Sequence, residues 1–343
     1  MRPPIDEARS HGRRDRGSWL AGCVSVVLVA ATVLGAVGTT ARAQSPKISR
    51  IGVLLFSTPD GDPNLPAFRE GLRGLGYVEG KNATMLYRYA EGKPERLPEA
   101  ARELAALKPD VIFALGGDVA PFMIAVTRTV PIVMAVSVDP VEAGLVPNLA
   151  KPGGNLTGVT WISSDVAAKR LQLLKEAVPG LSRVAVLWNP KHVDPEYAAT
   201  QAAGPTLGIQ VQSLEVRSPS DFDAAFQAAH TGRAEALVVV SSRLMFFARD
   251  RILDFAARRR IPVVGGWGPW AQLGALFSYG PDVNASVGHA ALYVDRILKG
   301  ARAGDLPVEQ SSQFDLVLNL KTASALGLTI PSSIRARAAQ VIE

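Results

Sequence analysis

Ile51-Gly52-Val53-Leu54-Leu55-Phe56 is followed by Ser57-Thr58-Pro59-Asp60-Gly61, and then by Pro66-Ala67-Phe68-Arg69-Glu70-Gly71-Leu72-Arg73-Gly74-Leu75-Gly76. The first run has no polar alternation, which marks a strand covered on both faces. The second is a polar turn. In the third, the apolar residues at 68, 72 and 75 share one helical face, and Gly76 can end the helix. A buried strand, a short turn and an amphipathic helix form the repeating unit of a parallel sheet with helices on its faces.

That unit recurs along the chain. Strands are expected at Ala83–Tyr89, Asp110–Leu115 and Pro131–Val136, with helices at Leu97–Leu107 and Val119–Arg128 between them. A passage rich in glycine, proline and asparagine, Lys151-Pro152-Gly153-Gly154-Asn155, then interrupts the rhythm. Beyond it, helices at Val166–Ala177, Ala198–Leu207, Phe222–Ala229 and Phe247–Arg259 alternate with strands at Arg183–Trp188, Ile209–Val216, Ala236–Val240 and Ile261–Val264. The fold class is therefore α/β, with two doubly wound parallel-sheet lobes. Their right-handed βαβ crossovers place helices on both faces of each sheet. Two such lobes suggest a protein with a cleft.

The start of the chain points to export. An arginine-containing segment precedes an apolar run from Trp19 to Gly38, and Ala41-Arg42-Ala43 supplies small residues before Gln44. This is the pattern of a signal peptide over residues 1–43, cleaved near Ala43, and it places the mature protein in the periplasm. Three rival readings accompany it. The run is long enough to span a bilayer uncut. Leu20-Ala21-Gly22-Cys23 matches a lipoprotein box by letter, although Cys23 stands at the front of the apolar run rather than its end. Arg13-Arg14 raises twin-arginine export.

Charge narrows the function classes further. Residues 1–43 hold six of the 37 Lys/Arg and three of the 31 Asp/Glu, so the remainder carries 31 basic and 28 acidic residues. No basic stripe interleaved with aromatics remains, and nucleic acid is not an expected partner. The single cysteine, Cys23, lies in the leader, so the mature chain has no disulfides to stabilise it. Catalytic constellations are thin. His192, His230 and His289 are far apart and lack metal-ligand spacing, and neither a nucleophile elbow nor a phosphate loop occurs. His192, beside a proline-containing turn, is expected at the surface. No enzyme, cofactor or metal is expected.

In open parallel sheets, ligands bind beyond the carboxyl ends of the strands. Those positions give Ser57, Thr58, Gly117, Asp118, Ser137, Asp139, Trp188, Asn189, Ser241 and Trp267 as the candidate ligand-binding set. Hydroxyls can hold a carboxylate, an aspartate can pair with an amine, and tryptophan can cover an apolar part. The set suits a small polar or zwitterionic solute. Each position also has a purely structural reading: Ser57 and Thr58 as turn residues, Asp139 as a cap before the following segment, Trp188 and Trp267 as core. Trp161 is expected to pack near the hinge.

Longer motifs accumulate in order along the chain. They include Glu79-Gly80-Lys81-Asn82, Asp139-Pro140-Val141, Pro152-Gly153-Gly154-Asn155-Leu156-Thr157-Gly158, Leu187-Trp188-Asn189-Pro190 and Ser278-Tyr279-Gly280-Pro281-Asp282. Together with Tyr293-Val294-Asp295-Arg296-Ile297-Leu298-Lys299-Gly300, they resemble the tryptophan/tyrosine-type substrate-binding proteins of ABC transporters. The resemblance runs from about Ile48 to Glu343. It implies a type I periplasmic-binding-protein fold, with one lobe over residues 44–160 plus 283–313 and the other over 161–282 plus 314–343. Hinge crossings are then expected near Thr160, Tyr279 and Gln313. The resemblance also implies capture of a solute, such as an amino acid or aromatic compound, and its delivery to a membrane permease with a cytoplasmic ATPase; two lobes with a cleft and no cysteines in the mature chain suit a monomer. A periplasmic ligand sensor feeding a membrane receptor or kinase is the alternative.

Overall fold

The computed structural model describes residues 48–116, 118–161, 164–267 and 269–343. The expectations for the leader, for its cleavage site and for Gly117 fall outside these residues.

The first lobe is built from β1 (Ser49–Leu55), α1 (Leu65–Gly74), β2 (Ala83–Tyr89), α2 (Leu97–Ala106), β3 (Val111–Leu115), α3 (Ala120–Val126), β4 (Ile132–Val136) and β5 (Leu156–Thr160). The chain then enters the second lobe with α4 (Ser164–Ala177), β6 (Arg183–Trp188), α5 (Glu196–Ala203), β7 (Gln210–Glu215) and α6 (Phe222–Thr231). It continues through β8 (Ala236–Val239), α7 (Arg243–Phe247), α8 (Arg249–Arg259), β9 (Val263–Gly265), α9 (Pro269–Gln272) and β10 (Phe277–Pro281). Next, α10 (Val283–Leu298) and β11 (Glu309–Gln310) return to the first lobe. The second is completed by β12 (Phe314–Asn319), α11 (Leu320–Leu326), α12 (Ser332–Arg335) and β13 (Gln340–Ile342).

The first sheet has six strands in the order β11-β5-β4-β3-β1-β2, and the second has seven in the order β13-β12-β10-β9-β8-β6-β7. Two parallel-sheet α/β lobes are thus present, as the sequence pattern predicts. One pairing departs from it, because β12 runs antiparallel to β10.

β1 shows why the continuous apolar runs become central strands. Ile51, Val53 and Leu55 enter a core with α1 and α10, whereas Leu54 enters a second core with α2 and α3. Successive side chains point to opposite faces, so a strand with helices on both sides has no polar position to spare. The second lobe repeats this: Val184 and Val186 pack towards α4, and Ala185 and Leu187 towards α6 and α8. Gly71 allows α1 and α10 to approach, since a Cβ there would sit 2.5 Å from the Gly288 carbonyl oxygen.

Some helix bounds differ from expectation. Gly204-Pro205 ends α5 early, because proline supplies no N–H to continue the ladder. The helix expected at Phe247–Arg259 is α8, and it is preceded by α7, a short helix not expected, which begins at Arg243, where the Ser242 hydroxyl caps it by accepting from the Met245 N–H at 3.3 Å. Trp161 is buried in the core of the first lobe, with its backbone N–H donating to the Val136 carbonyl. No helix among the described residues is long and apolar enough to cross a membrane.

Candidate functional site

The strand ends of the two lobes face each other, and side chains from one reach the other. Arg243, just beyond β8, sends its Nε to 3.1 Å from the Asp118 carboxylate beyond β3. Its Nη2 donates to the Leu115 carbonyl at 3.0 Å, and its guanidinium lies 4.7 Å from the Phe56 ring centroid. Phe247 comes within 5.9 Å of the same ring. The Ser137 hydroxyl beyond β4 meets His192 Nε2 at 3.3 Å, and the Asp139 N–H donates to the Val193 carbonyl at 3.2 Å. Trp267 packs against core side chains of both lobes and stands 6.2 Å from Phe246.

Beneath these contacts the second lobe holds a buried ion pair. Arg170 Nη1 donates to Glu196 Oε2 at 2.9 Å, with both side chains fully buried, and Arg170 Nε donates to the Tyr279 carbonyl at 3.0 Å. Glu196 Oε1 and the Ser241 hydroxyl, also buried, have no hydrogen-bond partner among the described residues. Gly266 closes the floor, where a Cβ would fall 2.4 Å from Ser241 Oγ.

This setting shifts two titrations. Burial holds the His192 pKa below its ordinary value, against the upward pull of the Asp118 and Glu196 charges. Burial and the neighbouring Glu196 charge hold the Asp194 carboxyl well above its usual range, although the Glu196 N–H donates to Asp194 at 2.8 Å.

The structure brings Asp118, Ser137, Asp139 and Trp267 together at the junction of the lobes, with Ser241 on the floor of the second. Asp139 also caps the following turn, its Oδ1 accepting from the N–H groups of Val141 and Glu142 at 2.8 and 3.1 Å. Other candidates are engaged locally. Ser57 donates to Asp62 at 3.2 Å, and Thr58 is exposed in a turn, accepting from the Gly61 N–H. Asn189 accepts from the Lys191 N–H. Trp188 is held within its own lobe, donating to Ser213 at 2.8 Å and stacked on Tyr197 at 4.1 Å.

Sequence reasoning missed Arg243, His192, Glu196 and Phe56. The expectation of a surface His192 is corrected: its ring is partly buried against Ser137 of the other lobe, because the turn after β6 folds into the cleft. Arg243 was obscured by the late helix start expected at Phe247. A groove of about 250 Å³ lined by Tyr87, Arg88, Arg96 and Glu103 lies at the β2 edge instead. Its charges pair locally, Arg88 with Glu103 and Arg96 with Glu91.

Residues 51–342 match the family of ABC transporter substrate binding proteins, and the chain belongs to that family. It is an extracytoplasmic family whose members bind small solutes for an ABC permease and are not enzymes. The chain is 26% identical over 291 residues to a tyrosine-binding protein of Clostridioides difficile, covering 84% of this chain and 83% of the relative. It superposes with a TM-score of 0.78 on the ABC domain from Streptococcus pneumonia in complex with L-Trp, at 25% identity, covering 86% of this chain and 99% of that one. At the same identity and coverages, the TM-score is 0.65 for the ligand-free, open structure of a substrate-binding protein with adhesive properties from Clostridium difficile.

Proposed function

We propose that this protein is the solute-binding component of an ABC importer and closes its two lobes around a small zwitterionic solute, an aromatic amino acid in particular. The observation that carries this reading is the meeting of charged and hydrogen-bonding groups across the lobes, Arg243 with Asp118 and Ser137 with His192. Contacts made only when the lobes meet favour the closed state, and a solute touching both lobes adds its differential affinity to theirs. The better superposition on the L-Trp complex than on the open relative supports closure, and the names of these relatives support the solute class. Ser137, Asp139, Ser241 and Trp267 are the lining residues that face the solute, and Asp118 is held by Arg243.

Residues 1–43 serve as the export signal, and the periplasmic form begins at Gln44; N-terminal sequencing of secreted protein checks this. A thermal-shift panel with L-tryptophan, L-tyrosine, aliphatic amino acids and sugars tests the solute. Ligand at 100 times Kd stabilises by about 2.7 kcal/mol. Small-angle scattering of a monomer should show a smaller radius of gyration on saturation. A panel in which sugars stabilise and amino acids do not would overturn the proposal.

A further inference from the structure

Arg243 is the cation that the second lobe extends into the cleft. Its side chain is 20% exposed and its partner Asp118 is 42% exposed. The Nη1 group has no hydrogen-bond partner among the described residues, so the planar guanidinium keeps donors to spare. Space for it is built in by Gly116, which has a φ of +121° and whose Cβ would sit 1.9 Å from Arg243 Nη2. Any side chain at 116 would evict the guanidinium from the Leu115 carbonyl. Phe56 lies under the cation and Phe247 beside that ring.

We propose that Arg243 is the carboxylate anchor of the cleft, and that the carboxylate of an aromatic amino acid takes the place of Asp118 on its guanidinium. The inference rests on the solute class proposed above. An exposed pair such as Arg243–Asp118 is worth about fivefold at most in an equilibrium, so it yields readily. A carboxylate enclosed by both lobes gains more, because arginine binds it through two parallel N–H groups in a desolvated setting. The rings of Phe56 and Phe247 then offer apolar surface next to the anchored end.

The test compares acids with their decarboxylated amines. Calorimetry is run with L-tryptophan, tryptamine, L-tyrosine and tyramine on the wild type, Arg243→Gln and Asp118→Asn, with melting curves as folding controls. The wild type is expected to prefer the amino acids over the amines by about 30-fold or more. Arg243→Gln should erase that preference while leaving amine binding within a few-fold, and Asp118→Asn should bind the amino acids as tightly or more tightly. If Arg243 merely bolts the lobes together, Arg243→Gln would weaken acid and amine alike and Asp118→Asn would weaken both. Either result overturns the anchor but leaves the proposed function standing. Wild-type protein that binds none of the four probes overturns both.

Discussion

The Ser137 hydroxyl and the His192 ring meet at 3.3 Å, Ser137 at the end of β4 in one lobe and His192 beyond β6 in the other. A neutral imidazole can share this hydrogen bond as donor or acceptor, whereas an imidazolium can only donate. The ring is faced by Asp118 and Glu196, which favour its charged form, and by Arg243, which opposes it; burial outweighs them and holds the pKa below 6.5.

The sign of the resulting pH dependence is set by that depression. The folded pKa lies below the unfolded one, so the contribution of His192 to stability is complete above about pH 6.5 and is lost as pH falls through the folded value. The melting temperature of the wild type should therefore drop between pH 6.5 and 5 more steeply than that of His192→Gln. Parallel curves would remove His192 from the junction's energetics.

Asp194 acts in the opposite sense. Its folded pKa is raised well above 3.8, so its stabilising contribution belongs to acid pH and is lost as pH rises through the folded value. Asp194→Asn keeps an oxygen for the Glu196 N–H and removes the charge. It should match the wild type near pH 4 and melt higher at pH 8, as followed by circular dichroism. A lower melting point at pH 8 would mean that the carboxylate is held by a cation.

The Arg170–Glu196 pair lies fully buried under the cleft floor. Glu196→Gln removes the carboxylate of that pair, and breaking a buried pair from one side costs about 3–5 kcal/mol. Urea unfolding should register that loss. The double variant Arg170→Met with Glu196→Leu should recover part of it, since no lone charge stays buried.

Two tryptophans at strand ends should separate in their effects. Trp188 stacks on Tyr197 and bonds Ser213 within one lobe, so Trp188→Ala should cost about 2 kcal/mol in unfolding experiments and change solute affinity little. Trp267 packs against both lobes, and Trp267→Ala should weaken binding of an aromatic solute roughly tenfold or more by calorimetry. The reverse result would move the aromatic wall of the site to Trp188.

Much of the fold was legible in residue order. β1, β3, β4 and β6 announce themselves as apolar runs between turn residues, because a strand covered on both faces has no solvent side. α1 and α2 show the period of a half-buried helix. β12 and α10 were not assigned, and the antiparallel pairing of β12 with β10 depends on a partner more than 30 residues away.

The site divides along the same physical line. Sequence alone determined the two α/β lobes and the set of strand ends, because burial pattern and turn chemistry are local properties that each segment carries within itself. It also supplied motifs specific enough to indicate the family. Only the tertiary structure decided which strand-end groups oppose one another: Arg243 against Asp118, and His192 against Ser137. Those pairs join residues 125 and 55 positions apart, and a side chain finds such a partner only after both sheets have formed and the lobes have met. The same packing held Trp188 within its own lobe and set Trp267 between the two, a choice that no pattern along the chain encodes.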